Sequence, residues 1–198
     1  KNIISNLLVF NGFNEIMNNS LTKSELYNVN TFYKAENNVN ILNPLSSDLN
    51  ILRRTMLFSA LETIEYNSNR KNNNLKIFEF GKTYSLSNEY IENQHLFLSI
   101  TGRRLKENWN SSNDQINFFD LKEYVHTILN KLGIFKFNST LNDNPFYDNH
   151  IEYKLNNDII VSYGSVNNKI LKKYKINKAV YIADFNWDVL LKIIKGSN

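Results

Sequence analysis

Residues 43–70 read NPLSSDLNILRRTMLFSALETIEYNSNR, a chain break followed by a helix. Asn43 stands before Pro44, and a proline ring pushes the residue before it out of helical geometry. The break closes a strand candidate at residues 39–42. Further on, Leu57, Phe58, Leu61 and Ile64 fall at i, i+1, i+4 and i+7, which is one apolar helix face. A polar run over residues 67–74 ends that helix. Residues 75–84, LKIFEFGKTY, are apolar on both faces and predict an interior strand. Glu79 interrupts that run, and a carboxylate among apolar neighbours needs a partner. It reads either as an acid or base in a cleft or as half of a structural ion pair or backbone contact. The second reading is preferred, because no second carboxylate stands close in sequence to divide roles with it.

Outward from this core, the same periodicities recur. Ile3, Ile4, Leu7, Leu8 and Phe10 have helical spacing, and Gly12 sits where a helix-ending glycine belongs. Residues 15–21 are a short strand candidate. Residues 95–101, HLFLSIT, form another strand, followed by a polar loop over 103–113. Residues 117–132 predict the best helix: Leu121, Val125, Ile128, Leu129 and Leu132 make one stripe. Asn117 is placed to cap it with Asp120 at the third position, and Gly133 closes it. Strands are expected at 135–140, 151–155, 159–166 and 178–186, with helices at 170–174 and 187–194. Short links between strands favour a mixed or antiparallel sheet with helices, an α+β fold in one domain.

Composition excludes several chemistries. The 198 residues contain no cysteine, which removes disulfides, thiolate catalysis and cysteine-ligated metals. That fits a cytoplasmic protein. No run reaches the roughly 20 apolar residues of a membrane helix. Residues 1–13 have no signal-peptide pattern, and a start at Lys1 rather than Met suggests a piece of a longer chain. His95, His126 and His150 have no metal-ligand spacing, and neither a phosphate-binding glycine loop nor a nucleophile elbow is present.

The formal net charge of +4 permits contact with nucleic acid without requiring it. Arg103, Arg104 and Lys106 lie near Trp109, a pattern that can hold phosphates and stack a base, or simply form a solvated loop. Lys169, Lys172, Lys173, Lys175 and Lys178 make a second basic run. A nucleic-acid-binding module using these loops is the alternative functional reading.

Several blocks together resemble one family. Residues 43–70 are similar to the Asn-Pro block of bacterial phenylalanyl-tRNA synthetase β subunits. Gly12-Phe13-Asn14-Glu15, Phe78-Glu79-Phe80-Gly81-Lys82 and Phe118-Phe119-Asp120-Leu121-Lys122 follow in the family's order. Tyr163-Gly164-Ser165-Val166 resembles a later block, with Asn167-Asn168 where the family has His-Pro, and residues 181–191 resemble the closing strand and helix. The resemblance spans residues 1–195, leaving 196–198 as a tail at a truncation point.

It implies the fold of class II aminoacyl-tRNA synthetases, an antiparallel or mixed sheet flanked by helices. It also implies membership of an ATP- and magnesium-using phenylalanine–tRNA ligase of α2β2 composition, with the chemistry on the α subunit and tRNA bound by the whole enzyme. This domain would be a structural, α-binding part without a cofactor, metal or catalytic residue of its own. Class II sites hold ATP with an Arg-x-Glu on a strand. None of Arg53, Arg54, Arg70, Arg103 or Arg104 is followed two residues later by Glu, so the chain departs from that pattern on chemical grounds. A free-standing ligase is disfavoured for the same reason. The helix over 53–69 and the Asn-Pro turn are the expected interface, with Phe32, Pro44, Arg53, Phe58 and Tyr66 as candidate contacts.

Overall fold

The computed structural model describes residues 1–27, 32–44, 46–104 and 114–196. Five helices are present among them: α1 (Asn2–Phe10), α2 (Leu57–Ser68), α3 (Phe118–Lys131), α4 (Asn168–Lys173) and α5 (Trp187–Gly196). The strands are β1 (Asn14–Glu15), β2 (Leu21–Thr22), β3 (Ile51–Leu52), β4 (Leu75–Leu86), β5 (Tyr90–Thr101), β6 (Asn138–Leu141), β7 (Tyr147–Leu155), β8 (Asp158–Val166) and β9 (Val180–Asn186). Seven of them form one sheet in the order β1-β4-β5-β9-β8-β7-β6, and β2 pairs separately with β3. Only the β1–β4 pair in the large sheet is parallel. The α+β expectation therefore holds.

Alternation along the strands gives the sheet two faces, each with its own core. Phe78, Leu96, Leu98, Ile100, Ala183 and Phe185 face one way, onto Ile4 and Leu8 of α1, Leu121 and Val125 of α3, and Leu190 of α5. Ile77, Phe97, Val180 and Ile182 face the other way, onto Leu57, Leu61 and Ile64 of α2 and Leu171 of α4. Each fully buried aliphatic side chain contributes on the order of 1.5–3 kcal/mol. β4 lies inside the sheet between β1 and β5, as its two-faced apolar run requires.

Several predicted boundaries move. The strand expected over 15–21 is split between β1 and β2. The strand expected over 39–42 is a single bridge, Asn40 to Ile51. β5 begins at Tyr90, not residue 95, because Tyr90 to Gln94 pair with the far end of β4 in a long hairpin despite their polar character. β7 likewise begins at Tyr147. Gly12 and Gly133 end α1 and α3 in left-handed geometry, with φ of 82° and 77°. No helix among the described residues is long and apolar enough to cross a membrane.

Candidate functional site

The face of the sheet beneath α2 carries a polar network set into the apolar core. Glu79, Gly81 and Thr83 share this face of β4 by strand alternation. Arg53, just after β3, reaches across and donates from Nη2 to Glu79 Oε1 at 2.8 Å and from Nε to the Lys82 carbonyl at 2.9 Å. Asn18 Nδ2 donates to Glu79 Oε2 at 3.0 Å, and the Thr63 hydroxyl of α2 donates to Asn18 Oδ1 at 3.0 Å. Arg53 and Glu79 are each 3% exposed. Glu79 thus has the structural ion pair expected of it. The glycine of Phe-Glu-Phe-Gly-Lys has a steric reason: a Cβ at Gly81 would collide with Arg53 Nη2 and with the Met56 side chain.

Farther along the same face, Thr83 Oγ1 lies 2.8 Å from His95 Nε2, and His95 Nδ1 lies 2.6 Å from Asp184 Oδ1. Burial pushes the His95 pKa down, but the carboxylates of Asp184 and Asp188 push it further up, so the net shift is upward. An aromatic cluster fills the rest of the face. Tyr27 meets Tyr33 and Phe58 at 5.2 and 5.1 Å between centroids, and Phe146 meets Phe58 and Phe32 at 5.6 Å each. Arg54 lies 4.9 Å from the Tyr33 ring centroid and donates to the Lys34 carbonyl.

The candidate residues from the sequence are dispersed. Arg53 and Phe58 are buried inside this chain, one held by Glu79 and the other by the aromatic cluster. Phe32 and Tyr66 are 49% and 58% exposed, and Pro44 is exposed, but Tyr66 lies under Arg70, whose guanidinium is 3.4 Å from its ring centroid. Of the proposed RNA contacts, Lys106 and Trp109 lie outside the described residues. Arg104 Nη2 is held by Asp120 Oδ1 at 2.9 Å, which ties it to the first turn of α3. Arg103 bridges to Gln115, and its N–H donates to Asn74 Oδ1.

Sequence reasoning missed a surface instead. Ile4 and Leu8 of α1 face the core with Leu7 packed against it, while Ile3 and Phe10, at 67% and 88% exposure, lie at i and i+7 on the outer side. Met17, just beyond β1 at the sheet edge, is 94% exposed. The signal was present in α1 as two interleaved apolar stripes, of which one packs on the sheet.

On the α2 face Arg53 is committed to Glu79, and on the opposite face of β4 the exposed Lys82 pairs with Glu92 at 2.6 Å. Among the described residues no group of three His, Asp or Glu side chains could hold a metal ion.

Comparison with known proteins now fits this geometry. The description "Phenylalanyl tRNA synthetase beta chain CLM domain" belongs to a family model that matches residues 1–187. The phenylalanine–tRNA ligase β subunit of Bacteroides thetaiotaomicron is 38% identical over 99% of this chain and 26% of its own length. That of Porphyromonas gingivalis is 35% identical over 96% of this chain and 25% of its own. The chain thus spans about a quarter of these relatives. Among solved structures, a pyrrolysyl-tRNA synthetase from Desulfitobacterium hafniense superposes with a TM-score of 0.74 at 18% identity, covering 98% of this chain and 66% of that one. That likeness shows the fold of a tRNA synthetase. With the family match over nearly its whole length, the chain belongs to the phenylalanyl-tRNA synthetase β-chain CLM-domain family.

Proposed function

We propose that this domain is a structural, non-catalytic part of a phenylalanine–tRNA ligase β subunit that binds the α subunit. In this reading the α subunit carries out the ATP- and magnesium-dependent attachment of phenylalanine to its tRNA, in the cytoplasm, within an α2β2 assembly. The observation that carries the reading is the outer side of α1. Ile3 and Phe10, one heptad apart, are large apolar side chains left in water on a helix whose other side is already buried through Ile4, Leu7 and Leu8. Large exposed apolar side chains grouped in this way mark protein contacts more than solvated surface. The buried pairing of Arg53 with Glu79 supports the non-catalytic half of the reading, since that cation is not free to meet a developing phosphate charge.

Light scattering of the chain mixed with its cognate α subunit, with each alone as control, tests it. A species of summed or doubled-sum mass is expected. Pyrophosphate exchange by the chain alone would overturn the non-catalytic assignment. Steeply salt-dependent RNA binding by the chain would favour the nucleic-acid reading.

A further inference from the structure

One cavity has the makings of a small-molecule site. It lies between α4, the aromatic cluster and the turn before β7, with a volume of about 360 Å³. Leu26, Phe58, Pro145, Phe146, Ile170 and Tyr174 give it apolar walls. Lys169 and Lys173, one turn apart on α4, also line it. Both are exposed, and among the described residues neither ammonium has an ion-pair partner. At i and i+4 the two side chains leave the helix on the same side, so one anionic group can meet both. Asn167, also on the lining, is already engaged: its amide donates to Asp148 Oδ1 at 2.7 Å and its Oδ1 caps α4. The Tyr174 hydroxyl is buried and has no hydrogen-bond partner. Burial first, then Glu62 and Glu65, pushes the Tyr174 pKa up, so negative charge is disfavoured at that end of the cavity.

These features combine in one ligand chemistry. A ring system is desolvated by Phe58, Phe146 and Ile170, while a single anionic group stays at the rim between the ammoniums. An apolar cavity with a few convergent polar groups, in the range of about 300–1,000 Å³, is the usual form of a small-molecule site. We propose that this cavity binds a small aromatic anion, with its ring on the Phe58–Phe146 floor and its carboxylate, sulfonate or phosphate between Lys169 and Lys173. The size favours a small molecule over a protein segment. It also gives Phe58, which is inaccessible to a flat partner surface, a route of contact through the cavity.

The test uses 8-anilinonaphthalene-1-sulfonate as the anionic probe and N-phenyl-1-naphthylamine, the same ring system without the sulfonate, as the neutral control. Fluorescence titration of the folded chain is expected to give saturable binding of one probe, with the neutral control weaker. The double variant Lys169→Glu/Lys173→Glu is expected to weaken the anion about tenfold and leave the neutral control unchanged. Ile170→Trp, which fills the cavity, is expected to abolish both, with near-UV circular dichroism confirming the fold. If Ile170→Trp fails to fold, the exposed lysine pair carries the test alone. Equal binding of the two probes, insensitivity to the lysine variant, or no saturable binding up to about 1 mM, where binding free energy is only ~4 kcal/mol, overturns the proposal.

Discussion

Arg53 is the residue on which the α2 face depends, because its guanidinium is the cation that makes a buried Glu79 tolerable. Arg53→Met strands that carboxylate in the core, and loss of about 3–5 kcal/mol is expected from urea unfolding. The companion Arg53→Met/Glu79→Leu removes both charges and should recover much of the loss. If it recovers nothing, the cost lies in packing around Gly81, not in the stranded charge. His95 makes a prediction of opposite chemical sense. Its pKa is raised in the native state: burial opposes the shift, and Asp184 and Asp188 outweigh burial. The native state therefore binds the proton more tightly than the unfolded chain does. Its stabilisation is complete below the unfolded value of about 6.5 and fades as pH rises through the higher folded value. Asp184→Asn removes a principal cause, so the stability gap between it and the unaltered chain should narrow as pH rises above about 6.5. A gap independent of pH would mean that His95 stays neutral throughout.

Elements were legible where their own side chains determined them. The capping box of α3 is one case: Asn117 Oδ1 accepts from the Phe119 and Asp120 N–H groups, and Asp120 Oδ2 accepts from the Asn117 N–H at 2.7 Å. Asn117→Ala should cost about 1 kcal/mol, seen as a lower midpoint in urea unfolding, since it frees two N–H groups at the helix start. A loss below a few tenths would show that the Arg104–Asp120 pair holds the turn unaided. The stripes of α2 and α3 were legible for the same reason, a 3.6-residue period facing a core. Strand ends were not. Tyr90 to Gln94 and Tyr147 to His150 have little apolar alternation, and they are strands because a neighbouring strand supplies the hydrogen bonds. The polar site was half legible. Glu79 announced that it needed a partner, but Arg53, His95 and Asp184 come from three distant segments: the register of β5 and β9 joins His95 to Asp184, and Arg53 arrives from the segment after β3.

For the whole molecule, the fold presents two surfaces, of which the sequence pointed to one. The α2 side, expected to meet the partner, has turned Arg53 and Phe58 inward and keeps Phe32, Pro44 and Tyr66 outside. The α1 side presents Ile3, Phe10 and Met17, which nothing among the described residues buries. Interface energy concentrates in a few large, well-desolvated side chains, so one surface should dominate. Phe10→Glu with Ile3→Glu places two carboxylates on the α1 stripe without touching Ile4 or Leu8. It should leave the melting temperature within a degree or two and weaken α-subunit binding by at least about 30-fold, the scale of a lost anchor of ~2 kcal/mol. Phe32→Ala with Tyr66→Ala tests the α2 side, where loss of binding by less than about fivefold is expected because Tyr66 is already covered by Arg70. The two double variants, measured side by side by titration calorimetry, separate the surfaces. If the α2-side variant carries the larger loss, the partner sits over the Asn-Pro turn as the sequence suggested, and the apolar stripe of α1 belongs to a different contact.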